Sequence, residues 1–407
     1  MLLHAAAALI IFAPMLMVMA REIPATILVI VSLLLITVAI RAGNNRAVIT
    51  DLGYGMPKAG RLILTALVGF MIVSLTWAPL TERAASHLLH FAGAIVLAAI
   101  SIATAIRFRI DFNSLIVAFA LSVAAGLLAI DIWLAGGLRE ALFLSTDVYR
   151  LNRAAVAIML FLPLATALLV VERHFVMLSV LWASAIAAIL LSISYSAKLA
   201  FIATVLGLPI ALIVPHMFHR LTTLAIPLTV LAMPWIASIA NSLIPARIHD
   251  LVGYGSLTIR GEIWQETVPF IWQKPFFGWG VEASHALPHL PEAAHLTQVQ
   301  RDLLSWGHTH NAPLQIWLEL GAVGAALTAA ALYFGIRALR ALPPMLLPYA
   351  TITVIAAFAI ACVSHGAWQA WWWALLGLLA TAYAMAITAH FSDVLRRAGE
   401  SSAKSTG

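Results

Sequence analysis

About twelve runs of roughly 20 predominantly apolar residues succeed one another along this chain, centred near residues 12, 32, 70, 97, 121, 162, 182, 206, 230, 323, 354 and 379. Each is long enough to cross a bilayer as a helix, the form in which a single segment satisfies its own backbone in hydrocarbon. The fold class expected is therefore an all-α polytopic membrane protein, with residues 1–407 forming one integral membrane domain. Composition agrees: 63% of residues are hydrophobic and 10% charged, against about 45–50% and about 25% in soluble domains. No Lys or Arg precedes the first run and "REIPATILV" opens the second at once, so the first reads as a span and not a cleaved leader. The single cysteine, Cys362, falls within a predicted span, which leaves no internal disulfide.

Charge gives the orientation. With the N-terminus inside, the inner segments carry 13 of the 23 basic residues and only five of the 17 acidic ones. That asymmetry is the positive-inside bias, and it places both termini in the cytoplasm. The net charge of +6 is then a topology signal and gives no reason to invoke nucleic acid.

Residues 241–310 form one long outer segment between the ninth and tenth runs. It is too polar to span and too aromatic for a disordered linker, as "IWQETVPFIWQKPFFGWG" makes plain. Such rings favour the headgroup zone, so short amphipathic helices lying on the outer bilayer surface are expected. "QKPFFGWG" punctuates a turn. The last residues, "RRAGESSAKSTG", read as a cytoplasmic tail.

Several polar residues are out of place at the outer helix mouths. "STDVYRLNRAAVAIML" puts Arg150 and Arg153 three apart, on one helix face. "SISYSAKLA" sets Lys198 near the mouth of the eighth run, and "LTIRGEIWQ" adds Arg260, Glu262 and Trp264. Any one cation could be a snorkelling anchor, but four of them beside outer mouths oppose the charge bias and point to a shared anion site. Six histidines also lie in the long segment. Pro288 and Pro291 spoil a helical spacing for His285 and His289, so no metal site is expected, and His285, His289 and His295 read as hydrogen-bonded surface groups.

His310 differs because it heads an apolar helix, in "HTHNAPLQIWLELGAVG". A cap at Thr309 or Asn311 would put Pro313 harmlessly in the first turn. Asn311, Gln315 and Glu319 then recur every four residues as a polar stripe turned into the bundle, while Gly321 and Gly324 allow a neighbouring helix to approach. The helix N-terminus points outward at the cations, and His310 stands where an anionic, membrane-borne substrate could meet a base.

In these features the chain resembles the O-antigen ligase and polymerase superfamily of bacterial inner membranes. The signature is His, then Asn, Ser or Gln, nine residues, Gly, two residues, and Gly, Thr or Tyr. His310, Asn311, Gly321 and Gly324 match it in full, and "LNRAAVAIMLFLP", "RGEIWQETVPFIWQKPFFGWG" and the long preceding segment extend the likeness over nearly the whole chain. The resemblance implies a GT-C-like fold of about 12 transmembrane helices in the bacterial inner membrane, with the site facing the periplasm. It implies an enzyme that moves a glycan from undecaprenyl diphosphate to an acceptor hydroxyl, on lipid A–core or a growing glycan. His310 corresponds to the proposed general base and Arg260 to the diphosphate-binding Arg. Lys198 stands where the family has a second Arg; it keeps the charge but loses the bidentate fork, and Arg150 and Arg153 are placed to compensate.

The residue chemistry fits. A neutral His can take the proton of a weakly nucleophilic hydroxyl. Arg260, Lys198 and Arg150 can offset charge growing on a diphosphate without metal or cofactor, and a single displacement inverts the anomeric centre. A ligase is favoured over a polymerase sharing the motif. A transporter is the alternative of another class, but no inverted repeat and no pair of Gly/Pro-broken spans is apparent.

Overall fold

The computed structural model describes residues 1–52, 56–243 and 258–391. The expected C-terminal tail, His249 and the stretch 244–257 of the long segment lie outside the described residues. Among these residues the regular structure is all helical, with no strand. α1 (Leu2–Met19) and α2 (Ile23–Arg41) precede the short α3 (Asn45–Thr50), then α4 (Lys58–Ser74), α5 (Thr81–Arg107) and α6 (Ser114–Trp133). After α7 (Gly137–Ala141) come α8 (Asn152–Val171), α9 (Phe175–Leu191), α10 (Tyr195–Ile213) and α11 (Pro215–Leu243). The long segment carries α12 (Thr258–Gln273) and α13 (Gln298–Leu304), before α14 (Ala312–Ala338), α15 (Leu347–Ala361) and α16 (Ala370–His390).

Nine of the described helical stretches are long and apolar enough to cross a membrane, and α9 and α15 are shorter apolar helices. This is a multi-pass membrane protein. Cys362 is the C-cap of α15 and is not inside the helix, because the chain turns there toward the connection 362–369.

α8 shows why the bundle closes. It is apolar on every side, and residues 154–169 are all buried, the pattern of a helix surrounded by others. Lipid offers no hydrophobic gain for helix pairing, so close approach and dispersion must hold such a bundle together. Ala154, Ala155, Ala157, Ala165 and Ala167 are fully buried on α8 and remove bulk where α1, α6, α9, α10, α15 and α16 pack against it. A second core joins α4, α5 and α11 to α12, α14 and the aromatic residues between them.

Long-range pairs reveal the two ends of the bundle. At one end Arg153 meets Glu22, and Arg83 meets Glu282. At the opposite end His390 meets Glu172, and Arg107 meets Asp51. A buried ion pair, Arg139 Nε to Asp131 Oδ2 at 2.5 Å, organises the α6–α8 connection. Arg139 also donates to the carbonyls of Ser145, Thr146 and Asp147, so every nitrogen of its fork is engaged.

The long segment departs from the sequence expectation. Trp264, Phe270 and Trp279 are core residues and do not lie on a surface, although Trp272, Phe276 and Phe277 stay exposed. The reason is a break in α14. Gly321 adopts φ +61°, ψ −162°, interrupting the helix. Residues 275–280 fill the gap and satisfy the backbone groups it frees: Trp279 N donates to Leu318 O, Gly280 N to Glu319 O, Ala322 N to Pro275 O and Val323 N to Phe276 O, at 2.8–3.1 Å. A broken span is tolerated only where protein supplies such partners. Gly321 therefore admits this segment and not a neighbouring helix: a Cβ there would lie 2.4 Å from the Phe276 backbone. Gly324 makes room for Leu320 of its own helix.

Candidate active site

The sequence Asn311-Ala-Pro builds the mouth of α14 as expected. Asn311 is the N-cap, its Oδ1 accepting from Leu314 N at 3.0 Å, and Pro313 occupies the first turn. Asn311, Gln315 and Glu319 are all buried on the inward stripe. Immediately before the cap, His310 takes a left-handed conformation at φ +52°, uncommon for any residue but glycine. Its neighbours hold it there. His308 Nδ1 accepts from His310 N at 3.2 Å, and Trp264 Nε1 on α12 donates to Thr309 O at 2.8 Å.

The imidazole of His310 is oriented from across the bundle. Its Nδ1 lies 3.0 Å from the carbonyl of Ser364, in the α15–α16 connection. A carbonyl can only accept, so the ring proton belongs on Nδ1 and the Nε2 lone pair is free. Nε2 is buried and, among the described residues, has no hydrogen-bond partner. Burial lowers the pKa of His310 to about 4, with the Ser364 carbonyl raising it and the Arg260 charge lowering it. His308 is pushed down to about 2, by burial first and then by the neighbouring His310. Both rings are neutral near pH 7. Trp306, 54% exposed, stands 5.7 Å from the His310 ring.

Arg260, on α12, is close enough for its charge to act on both His308 and His310. Burial also draws its own pKa down, although a guanidinium stays protonated. Glu262 stands half-buried on the same helix. The remaining expected cations lie at the same end of the bundle but are dispersed. Arg153 pairs with Glu22 at 2.5 Å and lies 4.5 Å over the Trp371 ring. Arg150 is exposed and lines a cavity of about 350 Å³ with Arg21, Glu22 and Arg139. The two do not share a helix face, because Arg150 belongs to a 3-10 turn and α8 begins only at Asn152. Lys198 sits in the first turn of α10, with Nζ 5.5 Å from the Tyr195 ring.

Under the site, Glu319 binds three pieces of chain together. Its carboxylate accepts from Glu282 N at 2.8 Å, Ser284 Oγ at 2.6 Å, Gln315 Nε2 at 2.9 Å and Trp368 Nε1 at 2.5 Å. Gln315 Oε1 accepts from Ala367 N at 2.9 Å. The inserted segment, α14 and the connection bearing Ser364 are thus fixed to one group.

Sequence reasoning missed several residues here. Glu282 accepts from Arg83 Nε at 2.8 Å and pairs with His87 at 3.0 Å. Burial pushes the Glu282 pKa up, but these partners outweigh it and the net direction is down. His285 joins this cluster and is not a simple surface group. Ser364, His365 and Trp368 were also missed. Their one signal was "SHGAWQAWWW", a polar and aromatic connection between two apolar runs at the same end as His310.

Among known proteins, the family model described as O-antigen ligase matches residues 141–329. No curated protein matches the chain. The match runs from α7 into α14, taking in Arg150, Arg153, Lys198, Arg260 and the whole His310–Gly324 motif. Carried on a multi-pass helical bundle, that segment makes the chain similar to the O-antigen ligase family over residues 141–329.

Proposed function

We propose that this protein is an O-antigen ligase-like glycosyltransferase of the bacterial inner membrane. It transfers a glycan from undecaprenyl diphosphate to a lipid A–core or related hydroxyl on the periplasmic face. The observation that carries this reading is the buried Nε2 of His310, without a hydrogen-bond partner among the described residues, its ring held by Ser364 and lying within the field of Arg260.

In this scheme His310 Nε2 takes the proton of the acceptor hydroxyl as its oxygen bonds to the anomeric carbon. The bond from that carbon to the diphosphate oxygen breaks, and Arg260 offsets the charge gathering on the leaving group. Arg153 and Lys198 lie at the same end and are proposed to support the diphosphate, with Arg150 at its edge. The single displacement inverts the anomeric centre and uses no metal. In the same scheme the chain makes twelve spans with both termini cytoplasmic, so that these groups share the periplasmic face.

The test is single-turnover transfer from a purified lipid-linked donor, offered lipid A–core or a free repeat unit as acceptor. Transfer to lipid A–core is expected, and it should persist in EDTA. Extension of the repeat unit alone would make the protein a polymerase. His310→Ala should lose roughly 10²–10⁴ in rate. A fully active His310→Ala enzyme would remove the general-base assignment.

A further inference from the structure

Outside the family-matched segment, His365 comes directly after the residue whose carbonyl orients His310. It is 3% exposed, and neither ring nitrogen has a hydrogen-bond partner among the described residues. The backbone of Gly366 lies alongside without closing a well-formed bond. The ring packs 4.2 Å from Trp372 and edge-on to Trp371 at 5.3 Å. A phenyl ring would pack in this way without burying two polar atoms. Buried polar groups in proteins are ordinarily paired, and an unpaired one calls for a reason, a role toward a substrate among them.

The surroundings indicate the partner's chemistry. His365 feels the charge of Arg153 and the proximity of His310, and His310 in turn feels Arg260. Arg153 lies 4.5 Å over the Trp371 ring against which His365 packs, and Ser364, the preceding residue, holds His310. Burial, foremost, lowers the His365 pKa to about 3, so at neutral pH the ring carries one N–H donor and no charge of its own. A neutral donor near a cation suits a phosphate oxygen.

We infer that His365 is a second substrate-contacting histidine, donating its ring N–H to the diphosphate of the lipid-linked donor. The inference rests on the proposed glycosyl transfer. As the bond from anomeric carbon to diphosphate oxygen breaks, its electron pair stays on that oxygen, and the His365 hydrogen bond to the diphosphate strengthens. The acceptor's proton goes to His310, so His365 neither gains nor loses one.

The test uses the full-length protein in nanodiscs, with His365→Phe and His365→Asn beside His310→Ala. His365→Phe keeps the stacking and deletes the polar atoms, whereas His365→Asn restores an N–H without the ring. Two quantities are read: binding of undecaprenyl diphosphate itself, and single-turnover transfer. His365→Phe should be at least as thermally stable as wild type, bind the lipid diphosphate more weakly and transfer roughly 10²-fold more slowly, as for loss of one donor to a developing anion. His365→Asn should recover part of both. Wild-type binding and transfer in His365→Phe would overturn the inference, as would a loss of stability, which would mean that the ring nitrogens serve the fold. The diphosphate contact and the base assignment fail separately: an active His310→Ala with a weakened His365→Phe refutes only the latter.

Discussion

The Nδ1 of His310 and the carbonyl of Ser364 lie 3.0 Å apart, joined across 54 residues of sequence. This bond sets the tautomer of His310 and aims Nε2. The site is therefore assembled from the α14 mouth and the α15–α16 connection together, and it responds to changes in either.

The pH dependence of transfer should reflect this burial. A general base works only when unprotonated, so rate falls as pH drops through its pKa. Because that pKa lies at about 4 instead of 6.5, kcat/KM should stay level down through about pH 6 and fall only in more acid solution, since it reports the free enzyme. Bound diphosphate is an adjacent negative charge that favours imidazolium, so the acid limb of kcat should lie higher. Arg260→Gln removes a charge that lowers the pKa and should move the kcat/KM limb upward. A limb unmoved by Arg260→Gln would mean that the titrating group is not His310.

Loss of Arg260 should act mainly on turnover. Arg260→Ala removes a donor whose interaction grows as the leaving group departs, at a cost of roughly 10²–10³ in rate. Arg260→Lys should recover part of it, a point charge being a poor substitute for a planar fork. Wild-type transfer by Arg260→Ala at normal membrane abundance would make this residue an interfacial anchor.

Gly321 should not tolerate a side chain. Its φ of +61° and ψ of −162° lie in a region essentially restricted to glycine, costing another residue roughly 1–3 kcal/mol, and a Cβ would lie 2.4 Å from the Phe276 backbone. Gly321→Ala should expel residues 275–280 from the break. Thermal stability and transfer should fall together, and protease cleavage near Phe276 should quicken. Gly278→Ala meets the Glu319 backbone at the same short distance and should give the same phenotype. Gly43, also at positive φ but with nothing within 4 Å, should show only the milder conformational cost.

Glu319→Gln tests the clamp. All of the Glu319 partners named above are donors, so an amide turns its own N–H groups against some of them. Each donor left without an acceptor costs roughly 1–3 kcal/mol. The melting temperature should fall, and transfer should fall with it because Ser364 and His310 lose their common support. Unchanged stability would show that the carboxylate is not what holds the inserted segment.

The sequence by itself determined what is decided over short distances. A run of about 20 apolar residues becomes a membrane helix because its hydrogen bonds close within four residues and its length matches the bilayer. Asn311 caps α14 for the same reason, its acceptor reaching an amide three residues away. The inward stripe of Asn311, Gln315 and Glu319 comes from helical period alone. Tertiary structure decided what depends on register between helices: Ser364 as the partner of His310, Glu22 as the partner of Arg153, and Arg83 and His87 around Glu282. It also decided the conformation of Gly321. Glycine is permitted both in a helix and at positive φ, and only the backbone of residues 275–280, arriving to take up the freed hydrogen bonds, selects the second.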